Sequence, residues 1–367
     1  MCSVKFHAKI LIMSKTYEVI FTGGGSGGHV MPTVTLLHDL KDKYRIGYIG
    51  GKGIEKELIK ALDLPFHEIT TGKLRRYLSF ENLIDMFKVV KGIFDAFLIL
   101  LKKSNRKTLI FSTGGFVTVP VVLAAWILQR RIFVHEQTTQ VGLANKIASK
   151  FAKKVFVSYE DSLKFFPKDK TEISGYPLRD SLFSNDKSEI NYEGFSINES
   201  TKPLLFVTGG GNGSKLVNDL IKENLSELTK KYFIIHQVGK AFFDEYKDLK
   251  SDRYYPLAFV GPEIIDLYKW AEVIISRAGA GTVCELVALN KRSIFIPLKI
   301  AQKNEQFHNA KEAEKKIGSF VVTEDDLENL DLLDLIERFE DQKKNPLVSN
   351  TVNGKDILIK KISEAID

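Results

Sequence analysis

Only two of the 367 residues are cysteine, Cys2 and Cys284. That is too few for a disulfide framework or a four-ligand zinc site, and it fits a reducing compartment. No Asp-x-Asp occurs anywhere in the chain, so the carboxylate pair that commonly carries a divalent ion to a diphosphate is missing. The seven histidines form no HExxH. His135-Glu136 is followed by Gln137-Thr138-Thr139, which breaks the zinc pattern. No apolar run approaches the ~20 residues that cross a bilayer. The longest, FVTVPVVLAAWIL at 116–128, contains Pro120 and reads as buried structure. The opening MCSVKFHAKILIM has a short apolar run but no small-residue cleavage site, so it is not read as a signal peptide. Met13 offers a second candidate start, just ahead of the first convincing strand.

What is present is ordinary in bulk and informative in detail. Hydrophobic residues make up 44%, as in a globular protein, and the length suggests two domains. The net charge of +7 favours acidic partners such as nucleotides, phosphorylated lipids, nucleic acid or an anionic membrane, without choosing among them.

Strand and helix patterns alternate along the chain. TYEVIFTGG, YRIGYIGG, TLIFSTGG and RIFVHEQ read as strands with helical segments between them. The pattern restarts with PLLFVTGGGNGS, YFIIHQVG, AFVGP, EVIISRAG and SIFIPL. Such alternation implies parallel sheets covered on both faces. The two halves share a signature, because TGGGSG at 22–27 matches TGGGNG at 208–213. The fold class expected is α/β, two doubly wound Rossmann-like domains. The expected boundaries are 1–180 for the first domain, 181–340 for the second, and 341–367 for a terminal helix that returns to the first.

A glycine turn between strand and helix lets backbone N–H groups point at an anion, and the helix adds its positive end. The first loop lacks the lysine and hydroxyl of a P-loop. A dinucleotide fingerprint is a rival reading, but it wants an acidic residue at the end of the second strand, where this chain has glycines. His29 stands at a helix start, where the dipole disfavours its cation and suits a neutral base. A capping histidine is the alternative. In SRAGAGTVCEL at 276–286, the amides of Ala280, Gly281 and Thr282 suit a diphosphate, and Glu285 can reach two hydroxyls of a ribose or simply complement the helix dipole. Arg179, beside Leu178, is a phosphate clamp or a surface arginine. Without a metal, helix ends and Arg179 would have to stabilise a departing diphosphate.

Residues 72–103 mix Lys73, Arg75, Arg76, Lys88 and Lys91 with Leu74, Tyr77, Leu78, Phe80, Leu83, Met86 and Phe87. That composition suits an anionic bilayer surface, or an apolar face turned to the protein's own core. No recognition motif supports nucleic acid.

Eight segments in order, GGGSGGHVMP, TGKLRRY, TGGFVTVP, HEQTTQVGLANK, GYPLRD, TGGGNGS, SRAGAGTVCEL and QKNEQFHNA, give the chain its resemblance. It resembles the MurG family of glycosyltransferase family 28, peripheral-membrane N-acetylglucosaminyltransferases that make lipid II from lipid I in peptidoglycan synthesis. The resemblance implies a GT-B fold with an interdomain cleft, UDP-N-acetylglucosamine as donor, lipid I as acceptor, and a β-1,4 link formed with inversion. It implies no metal or other cofactor, no nucleic acid, an anionic inner-leaflet surface as partner, and a peripheral place on the cytoplasmic face of the plasma membrane. His29 is then the base, with Glu136 the second catalytic candidate. Gly24, Gly25, Ser26, Gly27 and Gly28 would face the acceptor diphosphate, with Thr113 and Asn145 beside them. Arg179, Gly211, Asn212 and Ser214 would lie near the nucleotide phosphates. Val260, after Phe259, would present backbone to uracil, Ala280, Gly281 and Thr282 would meet the diphosphate, Glu285 the ribose, and Glu305 and Gln306 the sugar. The chain departs from the family pattern at Gly211, where a serine is usual, at Thr138, often asparagine, and at Glu305, often glutamine. Those departures leave room for another UDP-sugar. Two other readings remain: a related enzyme acting on a lipid such as diacylglycerol, and a silent nucleotide-binding subunit that tethers a partner to the membrane.

Overall fold

The computed structural model describes residues 16–72, 80–184, 189–192, 195–198, 203–299, 304–342 and 353–367. Met13 and the cluster Lys73, Leu74, Arg75, Arg76, Tyr77 and Leu78 lie outside them. The chain divides into two compact units, Met1–Leu178 with Val352–Asp367, and Arg179–Thr351.

The first unit alternates strand and helix: β1 (Val19–Thr22), α1 (Gly27–Leu40), β2 (Ile46–Gly50), α2 (Ile54–Lys60), β3 (Phe66–Glu68), α3 (Phe80–Lys103), β4 (Leu109–Ser112), α4 (Thr118–Ile127), β5 (Arg131–Glu136), α5 (Leu143–Phe151), β6 (Lys154–Val157) and β7 (Thr171–Ile173). The sheet order is β3-β2-β1-β4-β5-β6-β7, with every pairing parallel. β1 reads VIFT and is buried at all four positions, as a strand covered on both faces must be. One cluster gathers Ile20, Ile110, Val134 and Val155 with Val121 and Ala125 of α4. Another packs Phe21, Phe111 and Phe133 against Leu36 and Leu37 of α1.

In the second unit a short antiparallel pair, β8 (Ile190–Tyr192) and β9 (Phe195–Ile197), precedes the sheet. There follow β10 (Leu204–Thr208), α6 (Lys215–Glu223), α7 (Leu225–Lys231), β11 (Phe233–Gln237), α8 (Phe243–Tyr246), β12 (Tyr254–Leu257), α9 (Ile264–Trp270), β13 (Val273–Ser276), α10 (Ala280–Ala288), β14 (Ile294–Phe295), α11 (Glu305–Ile317), β15 (Phe320–Val321) and α12 (Leu332–Asp341). The order is β12-β11-β10-β13-β14-β15, again parallel. One expected strand is corrected: AFVGP is the connection after β12, whose residues are Tyr254–Leu257.

The two orders are the same pattern, third-second-first-fourth, so β1 and β10 hold equivalent places and each runs into its glycine turn at the point where the sheet reverses direction. Ligands of open α/β sheets bind at that switch point. The last helix, α13 (Gly354–Ile366), belongs to the first unit, where Leu358 and Ile362 are buried in the core beside α1. Asn353 caps it and also accepts from the Leu178 N–H, and Lys355 pairs with Asp39 at 2.7 Å.

Candidate functional site

The first glycine turn is shaped mostly by the protein itself. A Cβ on Gly23 would meet Thr113 Oγ1 at 2.2 Å, and one on Gly24 would meet Glu55 Oε1 at 2.6 Å. Gly25 has φ +87° and faces the Phe116 ring, 2.2 Å from such a Cβ. Around Gly27 nothing lies within 4 Å, and around Gly28 only Ser26 Oγ, at 3.8 Å. The Gly24 N–H donates to Gly114 O, and the Gly25 N–H to Glu55 Oε2, both at 3.3 Å. The N–H groups of Gly24 and Gly25 are therefore committed inside the protein. Ser26, Gly27 and Gly28, where α1 begins, are the positions open to an anion. Pro32, inside α1, has no N–H to return to the Gly28 carbonyl.

His29 follows, half-buried, with Nδ1 3.2 Å from the Thr113 carbonyl. In the neutral ring the proton therefore sits on Nδ1 and the lone pair on Nε2. Thr113 is held from several sides. Its hydroxyl donates to His29 O at 2.6 Å, and its carbonyl also accepts from Gln137 Nε2 at 2.8 Å.

Glu136 ends β5 and is buried. Oε1 accepts from the Thr138 N–H and hydroxyl, at 3.2 and 3.0 Å, and Oε2 from Asn145 Nδ2 and the Gly142 N–H, at 3.1 and 3.3 Å. Burial pushes its carboxyl up, while the charge of His29 and the bonds from Asn145 and Thr138 pull it down. Three N–H groups donate to this carboxylate, and the Thr138 hydroxyl, whose one proton also faces Gln140 O at 2.8 Å, makes the remaining contact. Asn145 Oδ1 and Gln137 Oε1 are buried with no protein donor.

The second unit builds its turn the same way. Gly209 and Gly213 are closed by backbone, the latter with φ +75° and a hypothetical Cβ 2.0 Å from Val238 O. Gly210, at φ +82°, has nothing within 4 Å, and Gly211 meets only the exposed Phe259 ring, at 3.7 Å. Asn212 is exposed on the same turn. Ser214 caps α6. Its oxygen accepts from Arg277 Nε at 2.9 Å and Val217 N at 3.5 Å, which leaves the hydroxyl proton to offer.

Ala280, Gly281 and Thr282 form the first turn of α10, behind Gly279. Glu285, a turn further on, pairs with Arg179 Nη2 at 3.1 Å. Burial pushes its carboxyl up and Arg179 opposes that. The Val260 N–H donates to Gln237 Oε1 at 2.9 Å, so this amide is committed too. Glu305 opens α11, and Gln306 Oε1 accepts from the Leu298 N–H at 3.0 Å.

Two family models match the chain: the glycosyltransferase family 28 N-terminal domain over residues 19–157, and the family 28 C-terminal domain over residues 204–363. The chain is 41% identical over 358 residues to a UDP-N-acetylglucosamine--N-acetylmuramyl-(pentapeptide) pyrophosphoryl-undecaprenol N-acetylglucosamine transferase of Clostridium perfringens, covering 95% of this chain and 99% of that protein. The chain belongs to the MurG family of glycosyltransferases. A protein with the same printed name from Clostridium tetani is 41% identical over 93% of this chain and 96% of its own. The crystal structure of Acinetobacter baumannii MurG matches with TM-score 0.66 at 22% identity, over 94% of this chain and 99% of that one. That likeness supports the GT-B architecture of two Rossmann-like sheets.

In this MurG-family chain the sequence reading passed over four residues. Glu55 lies under the first turn. Gln137 holds the Thr113 carbonyl, and Gln237 ties Thr208 Oγ1 and Gly210 O to the Val260 N–H. Arg277, buried, links Ser214 to Ile296 O at 3.1 Å and Glu324 at 2.6 Å. Arg277 left one legible signal, a charged residue between a buried strand and a glycine turn.

Proposed function

We propose that the chain transfers N-acetylglucosamine from UDP-N-acetylglucosamine to the C4 hydroxyl of the muramoyl sugar of lipid I, giving lipid II, at an anionic membrane surface. The observation that carries this is the likeness, over 95% of the chain, to a protein with that printed activity. The geometry supports the following roles.

In the second unit, the open backbone at Gly211, the Ser214 hydroxyl and the first turn of α10 suit the donor's diphosphate, with Asn212 at the rim, while the Gly210 N–H is already given to Thr208 Oγ1 at 2.9 Å. Arg179 adds a cation there. Glu285 accepts from ribose hydroxyls, and the Val260 carbonyl accepts from uracil N3–H, beside Phe259. Gln306, with its oxygen engaged, offers its NH₂ to the sugar, and Glu305 offers a carboxylate.

In the first unit, residues 26–28 suit the acceptor's diphosphate. His29 Nε2 takes the proton of the C4 hydroxyl while Thr113 O holds Nδ1–H, and Glu136 favours the imidazolium that forms. Asn145 Oδ1 lacks a donor and can accept an acceptor hydroxyl. The acceptor oxygen forms its bond to the anomeric carbon as the bond to phosphate breaks, and UDP leaves with that electron pair. Base assistance of this kind is worth roughly 10²–10⁴ in rate, and stabilising the departing diphosphate at least as much.

The membrane contact is supported by α3. Val89, Ala96 and Leu100 are buried, while Met86, Phe87, Val90, Phe94, Leu98 and Leu101 form an exposed stripe, with Phe87 68% exposed. One face of this segment therefore packs on the core, and the exposed face supports the membrane reading. Trp126 and Ile127 of α4 are exposed too, and Lys88 and Lys91 flank the stripe. Among the described residues no helix is long and apolar enough to cross a membrane. Such a stripe beside cations fits the interfacial plane of a cytoplasmic leaflet.

The test is UDP release with a short-chain lipid I analogue, with diacylglycerol as the rival acceptor and several UDP-sugars as donors. Release with diacylglycerol alone, or with no acceptor tried, overturns the reading.

A further inference from the structure

Beneath the first glycine turn sits a carboxylate to which the transfer chemistry gives no part. Glu55, the second residue of α2, is fully buried. Oε1 accepts from the Gly51 N–H at 3.0 Å and Oε2 from the Gly25 N–H at 3.3 Å. A Cβ on Gly24 would approach Oε1 to 2.6 Å, and one on Gly53 would approach Oε2 to 2.4 Å. Two glycine turns, one after β1 and one after β2, therefore close around a single charged group. The Tyr48 hydroxyl, buried nearby, donates to Gly23 O at 2.8 Å and ties the same turn from β2. A carboxylate is costly to hold away from water, and backbone donors are what stabilises it there.

We propose that Glu55 is a positioning residue that locks the first glycine turn onto the end of β2, and so fixes where residues 26–28 and His29 stand to receive the acceptor. Gly25 occupies the left-handed region at φ +87°, where a glycine peptide has alternatives of similar energy. Committing its N–H to a fixed acceptor selects one of them. The turn then enters α1 in one geometry, and a ligand meets it preorganised. Only an acceptor on both oxygens does this, because each oxygen faces an N–H. The inference rests on the reading that residues 26–29 serve the acceptor substrate.

The test uses the full chain with Glu55→Gln and Glu55→Ala. Glutamine keeps one oxygen and sets an NH₂ against the other amide. In Glu55→Gln, kcat/KM for the lipid I analogue should fall about tenfold, the worth of one charge-assisted hydrogen bond. UDP affinity, which belongs to the second unit, should stay within about twofold. Amide exchange followed by NMR should quicken at Gly25 and Gly51 and stay unchanged at Gly209. Unchanged acceptor kinetics with a working wild type overturn the proposal. So does a parallel fall in acceptor and donor terms that tracks lost thermal stability, since that is general loosening. Should Glu55→Ala fail to fold, Glu55→Gln decides. A wild-type chain that releases no UDP with the analogue sinks the functional reading, and the exchange comparison still judges the anchor: unaltered exchange at Gly25 overturns it.

Discussion

Arg179 Nη2 stands 3.1 Å from Glu285 Oε1, so the two residues expected to hold phosphate and ribose also hold each other. Burial raises the Glu285 carboxyl and the arginine counteracts it. A buried charge stripped of its partner is penalised heavily. Arg179→Ala should weaken UDP about 10–100-fold, as expected for a lost charged hydrogen bond. Its remaining affinity should fall further as pH is lowered, because the unpaired carboxyl takes up a proton more readily. Titration calorimetry of both single variants and the double variant with Glu285→Ala checks this. The two losses should be clearly less than additive, and full additivity means that the pair is not coupled.

His29 has one nitrogen fixed and one to use. With Nδ1–H directed to Thr113 O, the lone pair on Nε2 is left for the proposed role of base. His29→Ala should lower turnover by roughly 10²–10⁴ while UDP affinity is retained. Single-turnover rates measured beside UDP binding make the comparison. Affinity that falls in step with rate assigns the histidine to the donor.

Glycines in the same turn should answer differently to alanine. At Gly25 the backbone is left-handed and Phe116 Cε1 would lie 2.2 Å from the new methyl. Gly25→Ala should therefore destabilise the first unit by about 1–3 kcal/mol. Gly28 is helical and open, with Ser26 Oγ at 3.8 Å as its nearest neighbour, so Gly28→Ala should leave the melting temperature unchanged or slightly raised. It should nonetheless raise the acceptor KM, because the methyl occupies the face offered to the ligand. Thermal melts and acceptor kinetics on the two variants separate these outcomes.

Those glycines also show how far the sequence could be read. The five glycines at 23–28 read, from sequence, as room for a ligand's diphosphate. Three close approaches there come from Thr113, Glu55 and Phe116, partners 31 to 91 residues away that no local pattern reveals. The repeated TGGG signature and the alternation of strand and helix were legible because they are local, and both turns do sit at equivalent strands. Gln237 and Arg277 stayed hidden because their work is to satisfy backbone groups and a cap brought near by the sheet order. α3 was ambiguous for a different reason. It is apolar on two faces, and hydrophobicity alone does not say which of them meets protein.

Two histidines outside the reaction should make the fold acid-sensitive. Burial pushes His135 down to about 4 and His236 to about 3. His236 is held neutral, with one nitrogen against Asn218 Oδ1 and the other against the Tyr254 hydroxyl, each at 3.0 Å. The unfolded chain protonates both near 6.5 and the folded chain does not, so stability is lost as pH falls below that value. Between pH 7 and pH 5 each should cost about 2 kcal/mol. Glu136 and Glu285, whose carboxyls are raised, act in the opposite sense, because the folded form holds their protons more tightly. His236→Gln isolates one contribution. Urea unfolding of the second unit at the two pH values should show a smaller acid loss than the wild type by about 2 kcal/mol, and an equal loss assigns the sensitivity elsewhere.

The exposed stripe on α3 should separate membrane affinity from folding. Phe87, Val90 and Phe94 are each at least 60% exposed, so replacing them with serine removes little buried area and should leave the melting temperature nearly unchanged. Each large apolar side chain entering the interface contributes about 1.5–3 kcal/mol when fully buried, and less at the headgroup level. The triple variant should therefore bind anionic vesicles at least tenfold more weakly. Lys88 also pairs with Asp85 at 3.2 Å and Lys91 bonds to Thr70 at 2.8 Å, so part of their charge is spent within the protein. Charge reversal at both should weaken binding to anionic vesicles, leave binding to neutral vesicles unaltered, and lose its effect as salt is raised. Sedimentation with vesicles rich in anionic lipid and with neutral vesicles measures both terms. Equal binding of the triple variant and the wild type would mean that the stripe faces something other than lipid.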